Sequence, residues 1–297
     1  MKYYQQLSSI NKKEMYIDYF SLFYKGWKNL FRLITVSICL FSLFACEKEI
    51  DLDLKGTEQK YVIEAVLTDQ EGGCRVLISK TKDFKEDNSR IQVSDALVTI
   101  NDDTQTYHLT ETSTGVYELA SLKGVTHKTY QLNVQIGDEI FTAHATMPAR
   151  VNMDSLYIAE EFVYDKTYKL PTVDFIDPAQ ETNQYRFVIY VNNQKKKQLF
   201  PINDDLSDGR ANSIRLYLHV GEDEDNPENK RIESGDLLKV EMLTIDLPVY
   251  KYFFSLQNSA TGENQSATPA NPVSNITGGA LGYFSAHTLQ SKEIRVP

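Results

Sequence analysis

The feature that most constrains this chain is a period of two. Between Tyr61 and Ala143, apolar residues fall into short runs that alternate with polar ones and break at turn residues. The clearest run is 130–136, which alternates, turns at Gly137-Asp138 and resumes through Phe141. Such alternation places one face of an extended chain in a core and the other in water. Similar runs occupy 61–67, 74–79, 96–100, 107–109 and 116–119, divided by Gly72-Gly73, Asn101-Asp102-Asp103 and Gly115. About seven short strands spaced roughly 8–12 residues apart specify a sandwich. It is expected over 57–149 and ends at Met147-Pro148-Ala149.

The second half, 150–297, reads as a β-rich domain with one short helix. Strands are expected at 185–191, 214–220 and 237–243. The period then changes. Val249, Tyr252, Phe253 and Leu256 form a single helical stripe. Asp246 is placed to cap that helix, and Pro248 suits its first turn. A long polar loop is expected over 257–280, then a last strand over 281–286. On that strand Tyr283 and Phe284 point to opposite faces. Phe284 is expected in the core, with polar-tipped Tyr283 outside or against the loop. The whole is mainly β, and its first domain resembles immunoglobulin-like and carboxypeptidase-regulatory-like sandwiches. Such a resemblance assigns no function.

Charge and motifs exclude several functions. The chain has 297 residues, 31 Lys+Arg against 41 Asp+Glu, and a net charge of −10. This acidity argues against nucleic acid, whose phosphates need a basic footprint. The five histidines, at 108, 127, 144, 219 and 287, include no pair at zinc-ligand spacing. No nucleophile elbow, P-loop or dinucleotide fingerprint occurs. We therefore expect no enzyme, no cofactor and no metal. The run 203–209 supplies oxygen donors, but Gly209 falls one place late for an EF-hand and Ile214 stands where Glu is required. Lys195-Lys196-Lys197 reads as a solvated loop, as does 222–225 with opposite sign. Glu64 lies between Val62 and Val66 on one strand face, which suggests an edge strand unless the carboxylate has a partner.

The front end reads as a targeting segment. Lys25, Lys28 and Arg32 precede an unbroken run of small and apolar residues at 33–46. A basic flank followed by about 7–15 apolar residues is a secretory signal. The run ends Leu43-Phe44-Ala45-Cys46, which resembles the lipobox of bacterial lipoproteins, although Phe44 replaces the usual small residue. The resemblance implies that 1–45 is removed and that Cys46 carries the lipid. Met15 is a plausible start, which would make 1–14 the product of a start codon placed too early. Residues 1–45 contain six basic and two acidic side chains, so the remainder carries −14. Cys39 would leave with the signal and Cys46 would be lipidated, so Cys74 would have no disulfide partner. The charged stretch after Cys46, within a tether at 46–56, resembles the surface-export signals of Bacteroidetes lipoproteins. Asp154-Ser155-Leu156 resembles the O-glycosylation motif of that phylum, with Ser155 as acceptor.

The stretch 267–286 is the most distinctive. It contains Asn271-Pro272-Val273-Ser274-Asn275-Ile276-Thr277-Gly278-Gly279, followed by Gly282-Tyr283-Phe284. With Val62-Ile63-Glu64, Gly115-Val116-Tyr117, Thr129-Tyr130-Gln131-Leu132, Gly235-Asp236 and Val249-Tyr250-Lys251-Tyr252, it resembles a family of Bacteroidetes surface lipoproteins, domain-of-unknown-function family 4249. The family's name assigns no activity, so no catalytic residue is implied. Its members are often encoded beside TonB-dependent outer-membrane receptors. The resemblance therefore implies a lipid-anchored outer-membrane accessory, exposed at the cell surface, that binds a nutrient for such a receptor. The alternative is a structural or adhesion module without a small ligand. Tyr283, Asn271 and Asn275 are the candidate contacts with ligand or partner. The glycines at 278, 279 and 282 would let the chain turn before the last strand.

Overall fold

The architecture follows from the alternation, with one addition that the local pattern did not carry: a single strand serves both halves. The computed structural model describes residues 59–82, 90–163, 165–204, 208–218, 231–261 and 271–297. Cys46, the signal and the tether lie outside them.

In the first half the strands are β1 (Tyr61–Thr68), β2 (Cys74–Lys80), β3 (Ile91–Gln92), β4 (Leu97–Asn101), β5 (Thr106–His108), β6 (Thr110–Ser113), β7 (Val116–Glu118), β8 (Thr129–Ile136) and β9 (Glu139–Thr146). The second half adds β10 (Met153–Val163), β11 (Lys166–Ile176), β12 (Gln184–Val191), β13 (Gln194–Lys195), β14 (Phe200–Asn203), β15 (Ala211–Arg215) and β16 (Leu237–Ile245). Helix α1 (Leu247–Thr261), β17 (Ile276–Thr277) and β18 (Leu281–Arg295) complete the described elements.

The central element is a ten-stranded sheet in the order β13-β12-β16-β18-β1-β2-β7-β6, with β14 on β12 and β3 on β2. At its middle, β18 runs parallel to β1 over Leu281 to His287. Its later residues, Thr288 to Arg295, then run antiparallel to β16. Gly282 makes the first contact possible. It has φ +103, and a Cβ there would sit 2.0 Å from the Ile63 carbonyl oxygen. The need is close approach between strands rather than a turn.

Two smaller sheets cover one face of the long sheet. The first, β17-β9-β8-β4-β5, closes a sandwich whose core includes Ile63, Ala65, Leu67, Val134, Phe141 and Phe284. The second, β10-β11-β15, closes a separate core around Val173, Phe175, Tyr185, Phe187, Val240 and Met242. Among the described residues before β17, the first core ends at Met147 and the second begins at Val151, and β18 contributes to both. Polar ties stitch the seam. Asp69 accepts from the Leu289 N–H at 2.9 Å and pairs with Arg150. Gln290 receives the Met153 N–H at 3.2 Å and donates to the Val151 carbonyl.

The opposite face of the long sheet is covered by α1. Val249, Tyr252 and Phe253 pack there on Val188, Leu243 and Ile245, joined by Tyr283 and Leu289. The helix starts where its sequence predicts. Asp246 Oδ1 accepts the Val249 N–H at 3.2 Å, while Oδ2 accepts the Thr146 N–H at 3.1 Å from β9. One carboxylate thus caps the helix and ties it to the first half.

Three sequence expectations differ from the structure. The hairpin β10–β11 is not signalled by the sequence, because its apolar residues do not alternate cleanly: pairing shifts between Met153 and Ser155, and Pro171, a residue that disfavours strands, lies inside the second strand opposite Ile158. The strand expected at 214–220 ends at Arg215. The last strand continues to Arg295, through a polar stretch whose backbone pairs with β16. Glu64 is also explained differently. Strand β1 lies inside the sheet, and the carboxylate is met by Arg90 at 2.7 Å.

Candidate functional site

The covering helix is short and the sheet beneath it is wide, so part of that face is left as a cavity of about 290 Å³. Five parts of the chain converge there: β1 supplies Glu64, β18 supplies Tyr283, and β12 supplies Arg186 and Val188. The segment after β12 supplies Lys195 to Leu199, and α1 supplies Tyr252, Phe253 and Leu256. Glu64 and Tyr283 are direct cross-strand partners in the β1–β18 pair. The parallel register of β18 on β1 therefore builds one wall of the site.

The chemistry is basic and aromatic. The Arg186 guanidinium stacks on the Phe253 ring, 3.7 Å from its centroid. Its Nε is buried and has no hydrogen-bond partner. Among the described residues no carboxylate forms an ion pair with it; Glu64 is taken by Arg90 and Glu241 by Lys239. Burial destabilises the cationic form of Arg186. The Lys195 ammonium is likewise pushed down, by desolvation and then by the Arg186 charge. Lys196 is buried and Lys197 exposed, so the triple lysine read as a solvated loop instead borders this cavity. Four cationic side chains meet one carboxylate that is already paired, in a chain whose net charge is −10.

Tyr283, Tyr252 and Phe253 form an aromatic cluster with ring centroids 4.9 Å apart for both contacts made by Tyr283. Burial pushes the Tyr283 phenol up, opposed by the neighbouring Arg186 charge. Behind it, on the same sheet face, lie Ser285 and His287. His287 Nδ1 is 2.8 Å from Ser285 Oγ, and burial pushes the imidazole down to about 4. His287 is therefore neutral at ordinary pH.

The candidate residues from the sequence separate. Tyr283 lines the cavity, half-buried under α1, while Phe284 is fully buried on the opposite face in the sandwich core. Asn275 is engaged elsewhere. Its Nδ2 donates to the Phe284 carbonyl at 2.8 Å and its Oδ1 accepts the Phe284 N–H at 2.9 Å, so the amide acts as an extra strand residue beside β18. Asn271 is exposed and does not line the cavity. Ser155 lies in β10, where its hydroxyl donates to Asp174 Oδ2 at 2.8 Å. Sequence reasoning missed Arg186, which alternation marks only as an outward residue between Tyr185 and Phe187. Nothing in the local sequence signals that a helix about sixty residues onward will cover it.

A second polar cluster lies at the end of β11. The Tyr185 hydroxyl donates to buried Asp177, whose Oδ2 has no hydrogen-bond partner, and Asp204 accepts the Asn183 N–H at 2.6 Å. Part of the run 203–209 lies outside the described residues. Among those described, no group of three or more His, Cys, Asp or Glu is placed to hold a metal, and no helix is long and apolar enough to cross a membrane.

No curated protein matches the chain. Among solved structures it is similar to the chicken interferon gamma receptor alpha chain at 9% identity. That match covers 82% of this chain and 100% of the other, with a TM-score of 0.23, and carries no argument. The family described as "Domain of unknown function (DUF4249)" matches residues 47–293, from just after Cys46 almost to the end of β18, and the chain belongs to that family.

Proposed function

We propose that this chain is a lipid-anchored binding protein of the bacterial outer membrane, exposed at the cell surface and assisting a TonB-dependent receptor in nutrient capture. The carrying observation is the cavity beneath α1, where a guanidinium with no carboxylate partner among the described residues, lysines and three aromatic rings converge. Concave sites with an apolar lining and a few placed polar groups are the usual form of small-ligand sites. The Leu43-Phe44-Ala45-Cys46 sequence supports the anchor. Two experiments test this reading. Mass spectrometry of the native protein should find acyl chains on Cys46, and Cys46→Ser should leave the membrane fraction or remain unprocessed. Crosslinking in native membranes should co-isolate a receptor barrel. An unmodified Cys46, or co-isolation of only other envelope proteins, would refute it.

A second reading, a structural or adhesion module, has its own observation. The β10-β11-β15 sheet exposes Phe162, Ile176 and Tyr157, with Tyr217 just beyond β15. Large exposed apolar side chains of this kind suit protein contact. Co-isolation of an envelope or host protein that depends on Phe162 would favour it.

A further inference from the structure

We infer that the cavity beneath α1 is a site for a small organic anion: a carboxylate or phosphate head on an apolar body. This rests on the reading of the chain as a binding protein and specifies what it binds. A buried charge is tolerated when it is paired or hydrogen-bonded, and is costly otherwise. Arg186 has aromatic stacking but no carboxylate partner among the described residues, and its buried Nε is unsatisfied. The one acid in the lining, Glu64, is held by Arg90 at 2.7 Å. An incoming anion would supply the missing counter-charge to Arg186 and Lys195 together.

The remaining lining specifies the body. Val188, Leu199 and Leu256 offer apolar surface, and the Tyr283 ring offers a flat wall. A volume of about 290 Å³ suits a compact molecule rather than a polymer. The arrangement disfavours cations, which Arg186 and Lys195 would repel. It also disfavours neutral molecules, which would leave the guanidinium as costly as before.

The distinction between this site and an ordinary core is visible along β12. Tyr185 and Phe187 bury apolar rings in the core beneath β10-β11-β15, while Arg186 between them projects to the other face. Had that face served only packing, an aliphatic residue there would satisfy it without the desolvation cost.

The test uses the full chain purified in detergent and calorimetric titration with hexanoate, phenylacetate and hexyl phosphate, against the neutral hexanamide and phenylacetamide. At least one anion should bind with millimolar or better affinity, and at least tenfold more tightly than its neutral amide where one is paired with it. Preference for hexyl phosphate over hexanoate would assign the head to phosphate, and the reverse to carboxylate. Arg186→Gln should weaken binding at least tenfold. Should that variant fail to fold, the rim variant Lys195→Gln, at an exposed strand residue, should weaken binding about threefold and make what binding remains less sensitive to salt. Equal binding of acid and amide would overturn the anion assignment while leaving a ligand-binding protein. Absence of binding by all five probes, or anion binding unchanged in both variants, would overturn the site itself. Loss of receptor co-isolation with anion binding intact would instead count against the accessory role alone.

Discussion

Tyr283 and Phe284 are neighbours on one strand, yet they belong to different kinds of interior. Phe284 faces a second sheet, in a core of apolar side chains. Tyr283 faces a single helix, in company with Arg186, Glu64 and buried His287. Sheet-on-sheet packing covers the face around Phe284 and fills it with apolar side chains. A fifteen-residue helix covers only a strip of a ten-stranded sheet, and the uncovered part becomes a cavity that polar groups can occupy. The contrast suggests that stability is concentrated on one face of the long sheet and binding on the other.

The sharpest way to break this contrast is Phe284→Ala, which should destabilise by about 3–5 kcal/mol, as truncation of a buried Phe does. Denaturant unfolding measures it. A loss under about 1 kcal/mol would mean that the sandwich core is not organised around β18. Tyr283→Phe keeps the ring stack and should cost about 1 kcal/mol or less, while changing affinity for whichever anion binds. A stability loss comparable to Phe284→Ala would erase the distinction between faces.

The pH dependence probes the same boundary. His287 is held neutral, with its folded value depressed from 6.5 to about 4. Its contribution is therefore fully present above pH 6.5 and is lost as pH falls through about 4, amounting to up to about 3 kcal/mol. His287→Gln should flatten the stability profile over that window in urea melts at stepped pH. Asp246 behaves oppositely. Burial raises its carboxyl from 3.8 to about 6, so its contribution is present below pH 3.8 and is lost as pH rises through about 6. At neutral pH its caps still matter, and Asp246→Ala should cost about 0.5–2 kcal/mol. The smallest effect is expected from Arg90→Ala. It breaks a half-exposed ion pair with Glu64 and should change stability by about 1 kcal/mol or less. By freeing a carboxylate at the cavity it should nevertheless weaken anion binding.

Much of the scaffold was legible because it rests on local periodicity. The alternation of 130–143 marks β8 and β9, and the stripe of Val249, Tyr252, Phe253 and Leu256 marks α1 with its Asp246 cap. The split of Tyr283 from Phe284 follows from strand geometry alone. What was not legible depends on pairings distant in sequence. The polar residues 287–295 do not look like a strand, yet β16 supplies their partners. Lys195-Lys196-Lys197 looks like a solvated loop until α1 and β1 are placed beside it. Arg186 looks like an ordinary outward residue because its helix cover lies far along the chain. The family's distinctive stretch drew notice to Asn271 and Asn275, but Asn275 spends its amide on the backbone of Phe284.

The central claim is that the helix-covered face holds an anion at Arg186. Its most direct test is a crystal structure of the full chain with whichever anion gives measurable binding. The account predicts the charged head within hydrogen-bonding reach of the Arg186 guanidinium, with the apolar body against Val188, Leu256 and the Tyr283 ring. An anion seated elsewhere on the molecule, with this cavity holding only water, would contradict it.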